Sequence, residues 1–169
     1  MNNKKPEPHV LTRLMALLAG ELEARSTESG PFERRHVAVA VLLLEAMYVD
    51  HRASEREHAA VNRLLRERFD LPEETVRELI AVADERYAEV LDDWEFAEAV
   101  RAGFDPAERQ EVLTMLWEVA YADGNLVVLE DRLLNRLAEQ LELDVGAADA
   151  ARATAVARAG LLIDGAAGN

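Results

Sequence analysis

Two stretches of the chain are apolar on nearly every helical face. Residues 37–44 read Val-Ala-Val-Ala-Val-Leu-Leu-Leu, and residues 113–122 are similarly poor in charge. A soluble helix tolerates this only when other elements surround it. The first run could also pass for a buried strand. Its length and its likeness to the second run, which lacks the β-branched bias, predict a helix instead. The chain therefore has two central helices, one over about 31–49 and one starting behind the cap Asp105-Pro106-Ala107-Glu108.

The remaining patterns are amphipathic. Val10, Leu11, Leu14, Leu17, Leu18 and Leu22 recur at helical spacing over 9–24, predicting a helix docked on the main body. Residues 26–30 form a Ser/Thr/Gly linker. A helix over 54–69 opens with Ser54-Glu55-Arg56-Glu57, a capping-box sequence. Another starts at Pro72-Glu73-Glu74 and runs to about Val90. Asp92 is expected to cap a shorter helix carrying Trp94, Phe96, Ala99 and Val100. Residues 127–142 repeat the amphipathic partner pattern. An Ala-rich helix over 148–162, with a small apolar payload, is expected to be frayed. No strand is predicted, so the fold class is all-α, one multi-helix bundle. Its parts are a tail (1–8), an N-terminal helix and linker (9–30), a core (31–145), and a C-terminal helix and tail (146–169).

The core contains a repeat. At a displacement of 73 residues, Val39, Leu43, Glu45, Tyr48, Asp50, Glu57, Asn62, Arg63 and Leu64 match Val112, Leu116, Glu118, Tyr121, Asp123, Glu130, Asn135, Arg136 and Leu137. Nine identities in 26 gapless positions compare with roughly two from ordinary composition. The pattern reads as an internal duplication of a helix–corner–helix unit. In both copies a Glu follows the corner Asp by seven residues.

A repeated helix ending in Ala-Asp-Gly, with Glu seven residues past the Asp, resembles the TerB-like family. That family includes tellurite-resistance proteins and the N-terminal region of the DjlA co-chaperone. The second copy fits best, from Phe104-Asp105-Pro106 through Leu116–Gly124 to Glu130. The first departs from it, because His51 stands where the family has Gly. The resemblance covers roughly residues 31–145. It implies an all-helical repeat around two central helices, a role in stress response, and acidic residues that bind metal. It also implies no enzymatic activity; a protein partner at or near the membrane is expected besides.

Charge and composition narrow the function further. Nineteen basic against 33 acidic side chains give a net charge of −14 over 169 residues. Such a field repels phosphate backbones, so nucleic acid is disfavoured as a partner, while cations and basic surfaces are not. The absence of cysteine removes disulfides, thiolate metal sites and thiol catalysis. No apolar run reaches the ~18 to 20 residues of a transmembrane segment. Lys4 and Lys5 before the Leu14–Gly20 run only weakly resemble a signal peptide, since Arg13 interrupts it and no cleavage site follows. A cytoplasmic location is expected.

No Gly-rich phosphate loop, His-Glu-x-x-His or Gly-x-Ser-x-Gly is present. The candidate metal ligands are therefore the corner acids Asp50, Glu57, Asp123 and Glu130. As oxygen donors across a tight loop they suit a divalent ion such as Ca, Mg or Mn, with Zn or Ni conceivable at copy one beside His51 and His58. The competing reading is structural: Asp shapes the turn and Glu caps the next helix. In copy two Val127 replaces Ser54, so half of that capping box is missing. Glu45 and Glu118 stand inside apolar helices and require partners, for which Arg63 and Arg136 are candidates. Trp94, Trp117, Tyr48 and Tyr121 are expected in the core. The function expected is a non-enzymatic binding module that senses or sequesters a divalent metal or docks a partner. A metal-free helical scaffold is the alternative, and a metal-dependent hydrolase is a weaker one.

Overall fold

The structure, a computed structural model, describes residues 32–90, 92–124 and 128–166, with side chains described to residue 160. The predicted N-terminal helix, its linker, and the corner residues 125–127 lie outside the described residues. The chain divides into two compact units, Met1–Arg34 and Arg35–Asn169.

The described residues form helices α1 (Arg34–Tyr48), α2 (Glu55–Phe69), α3 (Glu73–Glu89), α4 (Trp94–Gly103), α5 (Pro106–Ala120), α6 (Val128–Gln140) and α7 (Val145–Ala166). All of them belong to the second unit, apart from the first residue of α1. No strand occurs among the described residues, and none of these helices is long and apolar enough to cross a membrane. The all-α expectation holds. The two apolar runs are the central helices α1 and α5, buried on all sides: Val39, Leu43, Val112 and Leu116 have no exposed surface. α5 packs most extensively against α7 and also against α2 and α6, while α2 packs on α3.

Local chemistry sets the boundaries. Ser54 Oγ accepts the Glu57 backbone N–H (3.2 Å), and Glu57 Oε2 accepts that of Ser54 (2.6 Å), so α2 starts with the predicted capping box. Asp105 and Glu108 build the same box at α5, with Pro106 in the first turn. α2 ends at Asp70, which adopts the left-handed conformation while the Leu71 N–H reaches Arg66 O (3.2 Å). α6 ends the same way, with Glu142 left-handed and Leu143 N–H on Ala138 O (3.1 Å). In both cases the bond closes the helix end in Schellman fashion.

Three expectations are corrected. Asp92 does not cap α4: Asp93 holds the cap position, its side chain making no bond to the helix's backbone N–H groups, and Asp92 Oδ1 instead accepts the Trp94 N–H (3.0 Å) in a turn. Trp94 is not in the core. It is 47% exposed, with the Arg101 guanidinium 4.7 Å from its ring centroid. Finally, α7 begins at Val145 rather than 148 and is still helical at Ala166. Its alanines are what let it approach α5 closely, and Ala151 and Ala155 are completely buried.

The corners after α1 and α5 open with a similar turn. His51 and Gly124, 73 positions apart, both have positive φ (59° and 83°). His51 N–H bonds Tyr48 O (2.9 Å) and Gly124 N–H bonds Tyr121 O (3.0 Å). Gly adopts this conformation freely, and His is among the residues enriched there. In a crystal structure the backbones of 39–64 and 112–137 are expected to superpose as one helix–corner–helix unit. Tyr48 and Tyr121 in unlike local backbone settings would overturn that.

One glycine is set by a close approach. A Cβ on Gly103 would lie 2.6 Å from Arg35 Cβ, where the start of α1 meets the end of α4 and the Arg35 guanidinium donates to Gly103 O (3.0 Å). Gly103→Ala should therefore destabilise the fold by about 1–3 kcal/mol, the usual effect of overpacking. Gly160→Ala on α7 meets nothing within 4 Å and should be neutral or stabilising, by up to about 1 kcal/mol. Denaturant unfolding checks both. Equal effects would mean that α1 and α4 do not touch there.

Candidate functional site

The glutamates inside the two central helices find their cations by exchange. Arg63 on α2 donates to Glu118 Oε2 on α5 (3.2 Å), and Arg136 on α6 donates to Glu45 Oε1 on α1 (3.3 Å). Each arginine leaves its own segment and pairs with the glutamate of the other, the relation a two-fold axis generates. A carboxylate this far inside requires such partners, because an unpaired buried charge costs several kcal/mol.

Beyond the exchange the two glutamates differ. Glu118, whose side chain is 5% exposed, takes a second guanidinium: Arg158 of α7 donates to Glu118 Oε1 (2.7 Å) and Glu111 Oε1 (2.9 Å). Those bonds, Glu111 first and then Glu118, hold Arg158 above its ordinary pKa. Glu45 instead faces the Asp93 carboxyl, and Arg136 is shared between Glu45 and Asp93. Asp93 also accepts Gln140 Nε2 (3.1 Å). Burial, then the charge and hydrogen bond of Asp93, push Glu45 up to about 8, while Arg136 opposes and Asp92 adds to the rise. Asp93 is held below its usual range. Burial acts against that, but the Gln140 bond, Arg136 and the proton donated by Glu45 outweigh it. Near neutral pH the proton of the pair therefore resides on Glu45. A cavity of about 420 Å³ opens beside it, lined by Val41, Tyr87, Val90, Asp92 and Phe96 among others.

The corner acids are placed differently. Asp50 Oδ1 accepts the Arg52 N–H (2.8 Å) and so shapes the turn, and Glu57, 2% exposed, is occupied by the capping box. Glu130 is equally buried, and both Asp123 and Glu130 are engaged in contacts of their own. Among the described residues no three His, Cys, Asp or Glu side chains converge to hold a metal ion. His51 and His58 are both exposed. Tyr48 hydrogen-bonds Asp84 on α3 (3.2 Å) and Tyr121 accepts from Arg152 on α7 (3.0 Å), so each tyrosine ties its central helix to the third helix of its half. Sequence reasoning named the partners of Glu45 and Glu118 but missed Asp93 and Arg158. In the sequence Asp93 reads only as part of a loop, and Arg158 as part of a weakly attached helix.

A family model described as Tellurite resistance protein TerB matches residues 36–153. No curated protein and no solved structure matches the chain significantly.

The Glu45–Asp93 pair generates a pH dependence. Glutamates of an unfolded chain titrate near 4.3, so the folded protein holds the Glu45 proton more tightly. The stability it contributes is complete below the unfolded value and is lost as pH rises towards about 8. Unfolding free energy should thus decline over this window, by no more than about 1.4 kcal/mol per pH unit for one proton. Glu45→Gln should flatten the decline. Asp93, lowered instead, contributes stability above its unfolded pKa that is lost on acidification, outside this window. Urea unfolding across about pH 5.5–8.5 reads the difference between the two proteins, and parallel curves would remove the proton from Glu45.

Proposed function

The chain belongs to the TerB family of tellurite-resistance proteins, and on that premise we propose that it is a non-enzymatic binding module of a stress response that works by docking a partner. The observation that carries this reading is the employment of the first corner's acids. Asp50 and Glu57 each already accept a backbone N–H that the corner needs, which supports a structural role for them. An acidic, all-helical body with a net charge of −14 suits a basic or cationic partner.

A second reading has one observation in its favour. Glu130 remains buried like Glu57, although Val127 stands where Ser54 would cap. A carboxylate that stays buried in both corners suits divalent ions held at each corner, by Asp50 with Glu57 and by Asp123 with Glu130.

One conservative series separates the two. Gln still accepts a backbone hydrogen bond but is a poor ligand for a hard cation. For structural acids, Glu57→Gln and Glu130→Gln should each change stability by less than about 1 kcal/mol, and Ca, Mg, Mn, Zn or Ni should leave the melting temperature unchanged. A metal site would instead stabilise the wild type by ~2.7 kcal/mol at a hundredfold excess over Kd, and both Gln variants would lose that gain. Ser54→Ala is the control, expected to cost about 1 kcal/mol with or without metal.

A further inference from the structure

The two central glutamates occupy matching positions, yet only one has its full complement of cations. Glu118 receives Arg63 through one oxygen and Arg158 through the other. Glu45 receives Arg136 through Oε1, and its second neighbour is the Asp93 carboxyl. Counting helix positions from the left-handed caps Asp70 and Glu142, Arg158 of α7 corresponds to Arg86 of α3. Arg86 is turned along its own helix towards Glu89 (3.9 Å). Glu45 is left with Asp92, Asp93 and a single guanidinium that Asp93 shares, at the edge of the 420 Å³ cavity.

We propose that this cavity is a binding site for an organic cation, a guanidinium or primary ammonium on an aliphatic stem, taking on Glu45 the place that Arg158 takes on Glu118. The volume lies within the range of small-molecule sites. Its walls divide as such a ligand requires: Glu45, Asp92 and Asp93 for the charged head, Val41, Val90 and Phe96 for the stem. Tyr87 also lines the cavity, and an aromatic ring there suits a cationic ligand. A bare metal ion fits less well, because no three acids among the described residues converge at metal distances. Binding requires Glu45 to ionise, so it should expel a proton at neutral pH. The groups facing that event are Asp92 and Asp93 on the α3–α4 connection, Arg136 on α6 and Tyr87 on α3. The site is separate from the corner acids and stands or falls independently of their role.

The test is calorimetric titration of the full chain with agmatine and with the capped peptide Ala-Arg-Ala, at pH 7 in phosphate and in Tris. Agmatine should bind and release close to one proton, read from the difference between the buffers. The release should vanish about two pH units higher, where Glu45 is already ionised. Glu45→Gln should abolish proton release. Asp92→Asn should weaken binding about tenfold, a difference of about 1.4 kcal/mol. Ala88→Trp, which fills the cavity from its exposed rim without touching a charge, should remove binding while the melting temperature stays near wild type. Peptide binding at least as tight as agmatine assigns the head group to a partner's arginine, and weaker peptide binding assigns it to a small free cation. Absence of heat with both ligands at millimolar concentration overturns the proposal. So does binding indifferent to both Asp92→Asn and Ala88→Trp, or the same proton release on adding calcium or magnesium alone.

Discussion

The fold depends on carboxylates placed where they cannot stand alone. Glu45 and Glu118 interrupt helices that are otherwise apolar all round, and a carboxyl group there is tolerated only if a donor or cation is brought to it or it keeps its proton. Each half supplies that cation to the other, Arg63 to Glu118 and Arg136 to Glu45. Hydrophobic burial alone would hold α1 and α5 inside the bundle in many rotations and registers. The crossed pairs restrict the choice, because either half rotated or slid by one residue would leave a glutamate buried without its arginine. The pairs therefore act more on specificity than on net stability. The arginines are about half exposed, and pairs of that kind contribute little beyond the cost of desolvating the acid.

The same constraint explains why two similar segments end in different chemistry. On the Glu118 side the third helix, α7, is rich in alanine and lies close on α5, which brings Arg158 within reach of both Glu111 and Glu118. On the Glu45 side the chain inserts the short helix α4 after α3, and the connection delivers Asp93 rather than a cation. On one half the glutamate is thereby paired with an internal guanidinium, beside a cavity of about 300 Å³. The other keeps a carboxyl pair and a tightly held proton beside its cavity.

Much of this was legible in the sequence because it depends on local pattern. The all-round apolar runs located α1 and α5. Ser54 with Glu57, and Asp105 with Glu108, marked two helix starts that the hydrogen bonds reproduce. The matched Glu and Arg positions gave the partners of the buried acids. What the sequence did not show depends on packing. Trp94 reads as a core residue in an apolar helical setting, yet α4 turns it outwards onto Arg101. The alanines of α7 count as weak when apolar area is summed, but they permit the close approach that makes this helix the main neighbour of α5. Asp92 carries a cap signal, but Asp93 takes the cap position one residue later, and that single step puts a carboxyl against Glu45.

The acids that looked most functional in the sequence and those that look most unusual in the structure are different residues. Repetition drew attention to Asp50, Glu57, Asp123 and Glu130, but a repeated corner preserves whatever a corner needs, and backbone hydrogen bonds to Asp50 and Glu57 meet such a need. Function is better sought where the repetition fails. Glu45 and Glu118 match in sequence and in their crossed arginine, and differ in their second partner, Asp93 for the one and Arg158 for the other. A protein that closes one of two equivalent glutamates with its own arginine and leaves the other against a second carboxyl has an electrostatic vacancy of defined shape. Its −14 net charge draws cations towards the molecule at long range. Beside Glu45 the acidic groups Glu45, Asp92 and Asp93 outnumber the single guanidinium of Arg136, and one of the three keeps its proton for want of a second cation.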